Sequence, residues 1–268
     1  RRPGATRWDV ATGPLPGAPR VDAVVHAAAA VTDWGAPHVV WRTNVDGTGN
    51  VAASFPGARL VHVSTASVYD PFTPTVRAVE SAAPVRRYLT AYGASKAAAE
   101  RLLAGRPDVV VLRPHAVYGP GDRTLLPRVL GAVRGRTLVV PGDGRALHTL
   151  TAIGTLAEAA LLACDPAVPP GVYNVGDAEP IALDEALAAL LAERGLDVRI
   201  RHLPLRSAWL LAGAAEAGAR SLRRRQPPRL TRYAVSHLAF ERTLDLTAAR
   251  TRLGLRPAPT SFAGAGSW

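Results

Sequence analysis

Lysine is nearly missing from this chain: Lys96 stands alone among 32 lysines and arginines. Arginine is always charged and does not release its proton, whereas lysine is a compact ammonium whose pKa answers to its surroundings. Abundant alanine, arginine, glycine and proline suggest a GC-rich coding bias that exchanges lysine for arginine wherever only charge matters. The position that kept lysine is therefore the first place to look for chemistry. Cysteine is equally scarce. A lone Cys164 excludes an internal disulfide and a thiolate metal cluster, and it makes a reducing, cytoplasmic setting the default expectation. Long apolar runs are absent too: none reaches the ~18 residues that a bilayer span needs. The nearest, "TAIGTLAEAALLAC" and "SAWLLAGAAEAGA", are interrupted by Glu158 and Glu216, so no stable membrane insertion is expected.

What is present suits a globular protein, since 268 residues with 48% hydrophobic content are ample for a buried core. The net charge of +11 invites a nucleic-acid or membrane reading. The arginines, however, are scattered. Only Arg223, Arg224, Arg225, Arg229 and Arg232 cluster, beside "QPP", with no stacking aromatics among them. Nucleic acid is not expected as a partner; a solvated surface or the rim of an anionic substrate's site is. Peripheral membrane attachment through this cluster and the apolar stretch before it is a further possibility.

Three Val-rich runs closed by turn residues read as strands: "VDAVVHAAAA" (21–30), continuous enough to be buried on both faces, "ARLVHVSTASVY" (58–69) and "PDVVVLRPHAVYGP" (107–120). Helical stretches alternate with them, "NVDGTGNVAASF" (44–55) and "AYGASKAAAERLLAG" (91–105), the latter with Gly105 as its cap. This alternation predicts an α/β fold with a doubly wound, Rossmann-like parallel sheet. Beyond about residue 121 the regularity drops. There "PGDG" reads as a turn, "IGTLAEAALLAC" and "ALDEALAALLAERG" as helices and "GVYNVG" as a short strand. The expected division is a dinucleotide-binding core over 1–135 and a smaller C-terminal α/β substrate lobe over 136–268, with segments of the lobe returning to the core.

Tyr92 and Lys96 are four apart in the second helix and share a face one turn apart. An ammonium near a phenol stabilises the phenolate, and bringing tyrosine from ~10 to neutrality takes roughly 4 kcal/mol, within reach of that ammonium and a cofactor's positive ring. A tyrosine so tuned serves as acid or base at a carbinol oxygen. A bare Tyr-x-x-x-Lys is common by chance. Here it follows "VSTASVY", which places the Thr65 and Ser67 hydroxyls at a strand's carboxyl end, where open parallel sheets bind ligands.

The motifs "DAVVHAAA", "NVDGTGNV", "STASVYD", "YGASK", "LRPHAVYGPGD" and "VYNVGD" occur in one order, and the tail "RLTRYAVSHLAFERTLDLTAARTRLGLRPAPTSF" follows them. Together they resemble the extended short-chain dehydrogenases/reductases, the epimerase/dehydratase superfamily, and most of all its 3β-hydroxysteroid dehydrogenase branch. The resemblance implies a catalytic triad of Thr65, Tyr92 and Lys96, with Lys96 also binding ribose hydroxyls. It implies an NAD or NADP cofactor lying close to the small Ala27, Ala28 and Ala29, a structural Asn44, and Pro114, His115, Ala116 and Val117 passing the nicotinamide. A small-molecule substrate and a homodimer go with it. No metal is implied.

Against this pattern, the Gly-x-x-Gly-x-x-Gly turn that binds the pyrophosphate is absent; "GTG" at 47–49 opens a later helix instead. Nor is there a methionine. An incomplete N-terminus is the expectation, because the first strand of such a sheet lies in its middle and its loss would expose ladder groups on both neighbours. Arg1 and Arg2 would then follow the second strand, where positive charge favours NADP, and Asp9 matches the aspartate that meets adenine, or simply holds a surface turn. The family's His-Val-Asp-Asp run is replaced by Ala152, Ile153, Gly154 and Thr155, which puts local hydrogen bonding in doubt. Ala116 and His148 stand where nucleotide-sugar enzymes carry an asparagine and an arginine. The sequence thus favours an NAD(P)-dependent oxidoreductase acting on a secondary alcohol or ketone of a lipophilic molecule. A nucleotide-sugar epimerase or dehydratase, or a family member that binds no dinucleotide, are the alternatives.

Overall fold

The computed structural model describes residues 6–224 and 226–268; Arg1, Arg2 and Arg225, with the expectations attached to them, lie outside the described residues. In chain order the strands are β1 (Ala23–His26), β2 (Arg59–Val63), β3 (Thr75–Ala78), β4 (Val109–Pro114), β5 (Val117–Tyr118), β6 (Thr137–Pro141), β7 (Leu147–His148), β8 (Thr151–Ala152), β9 (Gly171–Val175), β10 (Ile181–Ala182), β11 (Arg199–Leu203) and β12 (Arg242–Leu244). The helices are α1 (Pro37–Trp41), α2 (Gly47–Ser54), α3 (Ala91–Leu103), α4 (Leu125–Ala132), α5 (Ile153–Ala163), α6 (Leu183–Glu193), α7 (Leu205–Ser221), α8 (Arg232–Ala239) and α9 (Thr247–Thr251).

The main sheet is fully parallel in the order β1-β2-β4-β9. Parallel neighbours require long crossovers, and the helical stretches between the Val-rich runs provide them. Every residue of β4 is buried, as its continuous Val-Val-Val-Leu run demands of a central strand. On one face Val61, Val110, Leu112 and Tyr173 pack against Ala159 and Ala163 of α5 and against Leu253 and Leu255. On the other, Leu60, Val109 and Val111 meet Val51 of α2 and Leu103 of α3. Each such fully buried aliphatic side chain contributes roughly 1.5–3 kcal/mol.

The first apolar run departs from its expectation. Instead of a doubly covered strand over 21–30, it forms only β1, at the sheet's edge, with Val25 44% exposed. Among the described residues β1 pairs with β2 alone, so its other ladder side is open and its apolar face only half covered. The other long runs are shortened as well: 58–69 becomes β2 followed by a 3-10 turn, Ala66–Val68, and 107–120 is split into β4 and β5 by Ala116, whose φ is +46°. The helix expected over 44–55 starts earlier, at Pro37, which is favoured in a first turn because its missing N–H has no partner there. It passes through a π-helical turn, Arg42–Asp46, before α2. At Gly47 a Cβ would come within 2.8 Å of Val10, so "GTG" serves helix packing.

A second sheet, β10-β7-β12-β3, and the pairs β11–β6 and β5–β8 complete the fold. Arg242 on β12 donates to the Asp70, Thr73 and Pro71 carbonyls and to the Thr75 hydroxyl, tying the loop before β3 to the C-terminal half. Around Ala152–Thr155, where the sequence left local hydrogen bonding in doubt, buried Asp177 is the acceptor. Its carboxylate accepts from Ala152 N (2.9 Å), Tyr118 OH (2.7 Å) and the Thr155 and Thr260 hydroxyls. No helix among the described residues is long and apolar enough to cross a membrane.

His26, His62, His115 and His148 are buried. Burial lowers each below the ordinary histidine value: His26 and His115 to about 4, His148 to about 3, and His62 well down, with Lys96 adding to the effect at His26 and His62. The unfolded chain binds these protons at higher pH than the folded one, so the associated stability is complete above ~6.5 and drains as pH falls toward the folded values, by about 1.4 kcal/mol per pH unit for each histidine. Urea unfolding followed from pH 7 to pH 5 should show a marked loss of stability. A flat profile would contradict the neutral, buried assignment.

Candidate active site

Three elements converge where β2 ends. The strand delivers Ser64 and Thr65 at its carboxyl end. Helix α3 begins beside them, capped by Thr90, whose hydroxyl accepts from Gly93 N. On α3, Tyr92, Lys96 and Glu100 follow at spacings of four and so share one inward face. All three are buried.

The two charged groups on that face are both partnered, as burial requires. Glu100 takes a two-pronged ion pair from Arg113 of β4, Nε to Oε1 at 3.0 Å and Nη2 to Oε2 at 2.6 Å, and accepts from the Ser64 hydroxyl. Arg113, 1% exposed, also donates to the Glu80 and Ala83 carbonyls and to Tyr69, whose hydroxyl donates to Asn174. Lys96 donates to the Val63 carbonyl at 2.6 Å, two residues before Thr65. Burial draws its ammonium down to about 8, against the pull of Glu100. Of its three N–H groups, this bond engages one.

Tyr92 corrects an expectation. Its phenol is pushed above the ordinary tyrosine range, by burial first and then by neighbouring Tyr233, while hydrogen bonding with Thr65 opposes the rise. The ammonium that was expected to acidify it faces Val63 instead. Thr65 accepts from Ser67 N (3.1 Å) and donates to Ser67 Oγ (3.2 Å), and Ser67 Oγ lies 3.1 Å from the Tyr233 hydroxyl on α8. The structure therefore brings Thr65 and Tyr92 together, with Lys96 directed at the strand end just behind them.

Gly93 makes this proximity possible. A Cβ there would meet the Ser67 carbonyl at 2.8 Å, so only glycine lets α3 lie this close to the loop that carries Thr65.

Asn44, 1% exposed, accepts from Ala30 N (2.7 Å) and donates to Ala30 O and to Ser95 Oγ (2.9 Å). It thereby stitches the segment after β1 to α3. Ala27 and Ala28 are exposed on that segment and Ala29 is half-buried. Pro114 ends β4 and is buried, and Val117 is half-buried. His115 turns inward: it is 7% exposed, its ring nitrogen lies 3.0 Å from Thr149 O, and its ring stacks on that of His148. Asp9 is exposed and caps a 3-10 turn, accepting from Ala11 N.

Sequence reasoning passed over the Glu100–Arg113 pair, Gly93 and Tyr233. The first was detectable: Glu100 lies one turn beyond Lys96 on an alanine-lined face, where a carboxylate needs a buried cation.

The profile of the NAD dependent epimerase/dehydratase family matches residues 14–176. The chain belongs to this family. It is thus an enzyme of the extended short-chain dehydrogenase/reductase class, with a nicotinamide dinucleotide as cofactor. Over 240 residues it is 32% identical to the 4-hydroxy-2-methyl-3-oxo-4-farnesyl-3,4-dihydroquinoline-1-oxide ketoreductase of Stigmatella aurantiaca, covering 87% of this chain and 72% of that one. It is 30% identical over 254 residues to the decarboxylating sterol-4-alpha-carboxylate 3-dehydrogenase of Schizosaccharomyces pombe, covering 89% and 73%. Among solved structures, the UDP-glucose 4-epimerase of Thermotoga maritima superposes with a TM-score of 0.67 at 20% identity, over 92% of this chain and 75% of that one, a likeness of fold.

The residues at the sheet's carboxyl end fit the nicotinamide-ribose end of such a cofactor. Methyl side chains at Ala27 and Ala28 leave the backbone approachable, and the Lys96 ammonium has donors beyond the one given to Val63. The docking of α3 on the Thr65 loop is the geometric basis of the site. Gly93→Ala should lower stability by about 1–3 kcal/mol and reduce turnover by more than the unfolded fraction explains. Denaturant melts and assays on the folded variant check this, and unchanged kinetics would contradict it.

Proposed function

We propose that this family member is an NAD(P)-dependent oxidoreductase that interconverts a secondary alcohol and a ketone on a lipophilic small molecule, using Thr65, Tyr92 and Lys96. The proximity of the Tyr92 phenol to Thr65, with Lys96 one helical turn on, is the observation that carries the reading. In this reading residues 1–135 form the dinucleotide-binding core and 136–268 chiefly the substrate lobe.

The bound nicotinamide supplies or accepts the hydride at carbon. In the reductive direction Thr65 hydrogen-bonds the carbonyl oxygen while Tyr92 delivers the proton of its phenol to that oxygen as charge develops. Lys96, whose pKa near 8 leaves it mainly charged at neutral pH, stabilises the resulting phenolate and offers its remaining donors to ribose hydroxyls. In oxidation the same groups run in reverse.

Lipophilic substrates are favoured for two reasons. His148, at the position where nucleotide-sugar enzymes carry an arginine, is 3% exposed and stacked on His115, and Ala116 has no polar group to offer. The names of the ketoreductase and sterol dehydrogenase relatives point the same way. NADP is the preferred form, on the strength of Arg1 and Arg2 alone.

Titrating NADPH and NADH against the purified full-length protein while following nicotinamide fluorescence tests the redox reading, with tighter binding of NADPH expected. Tyr92→Phe should bind cofactor much as the parent does but lose at least about 10²-fold in turnover of a ketone substrate. Absence of binding by both dinucleotides, or an active Tyr92→Phe, would overturn the proposal.

A further inference from the structure

We infer that the outward face of α7 is an attachment surface for an anionic lipid bilayer. This rests on the surface alone and is independent of the redox reading.

Helix α7 is 17 residues long and has two unlike sides. Its inward side, Ala208, Ala212, Glu216 and Ala219, recurs at helical spacing and is buried, with Ala208 and Ala212 packed on Val235 of α8. Its outward side carries Leu210, 74% exposed, and Leu211, 56% exposed, followed by exposed Ala214, Ala217 and Gly218; Leu222, 69% exposed, lies just past the last turn. An apolar stripe of this kind on the surface marks a binding face.

Charge decides what binds it. The one acidic residue of α7, Glu216, points inward, where it accepts from Arg232 N and pairs with the guanidinium groups of Arg232 (3.0 Å) and Arg220 (3.6 Å). The outward stripe therefore carries no negative charge. Arg206 in its first turn is exposed, as are Arg223, Arg224 and Arg229 in the segment that follows the helix. Beside its first turns opens a groove of about 440 Å³ whose walls are Phe72, Leu205, Trp209, Leu210 and Phe240, with Arg206 at the rim. Apolar stripe, basic border and lipophilic groove together match a helix lying in the plane of a membrane surface, leucines at the acyl boundary and arginines among anionic headgroups.

Co-sedimentation of the purified chain with phosphatidylcholine vesicles, and with vesicles containing about a quarter phosphatidylglycerol, tests the inference. Pelleting is expected with the anionic vesicles at low salt and should weaken steeply as salt rises. Leu210→Ser/Leu211→Ser alters exposed positions, so its thermal melt should match the parent's, while vesicle partitioning falls about tenfold or more. Arg223→Gln/Arg224→Gln should weaken binding and flatten its salt dependence. No pelleting with anionic vesicles, or pelleting unaffected by the leucine pair, would overturn the inference. So would light scattering that shows the leucine pair dissociating a dimer, since the face would then belong to a second copy of the chain.

Discussion

One constraint organises this molecule: helix α3 buries a face that carries a phenol, an ammonium and a carboxylate against the carboxyl ends of β2 and β4. Charges out of water must be paired, and the pairing here is specific. Arg113 rises from the central strand to meet Glu100, Lys96 reaches the last carbonyl of β2, and Tyr92 comes to rest beside Thr65. Removing one partner of such an ion pair leaves the other buried and unmatched, at about 3–5 kcal/mol. The ion pair thus secures to the sheet the helix that carries Tyr92.

The lobe depends on this arrangement from the other side. Through Tyr233, α8 reaches Ser67 and hence the Thr65 hydroxyl, while Asp33, in the segment after β1, accepts from Arg128 of α4 and from Thr231 at the head of α8. Tyr233, from the C-terminal half, thus stands near the Tyr92 phenol.

Much of this was legible in the residues. Continuous Val-rich runs alternating with alanine-rich helices specified the parallel sheet, and Tyr92 and Lys96 announced themselves by helical spacing and by the rarity of lysine. What the pattern missed has physical causes. The run at 21–30 reads as doubly buried; among the described residues its β1 pairs with β2 alone, and which strands a run pairs with is a long-range property that the run does not encode. The acidity of Tyr92 was misjudged because spacing brings Lys96 to the same face but does not say whether a nearer carbonyl claims its proton donors. His115 looked free to line a ligand, and only the fold reveals the buried imidazole stack that it joins with His148. The hydrogen bonds that Asp177, just past β9, makes with Ala152 and Thr155 are visible only in three dimensions.

The proposed role of Lys96 requires an ammonium of lysine's shape and pliable pKa behind Tyr92, where a guanidinium of equal charge would not serve. Its most direct measurement is the turnover of Lys96→Arg alongside its dinucleotide affinity and thermal melt. The account predicts a folded protein with turnover lost, although the charge is kept. Normal turnover by the arginine variant would contradict it.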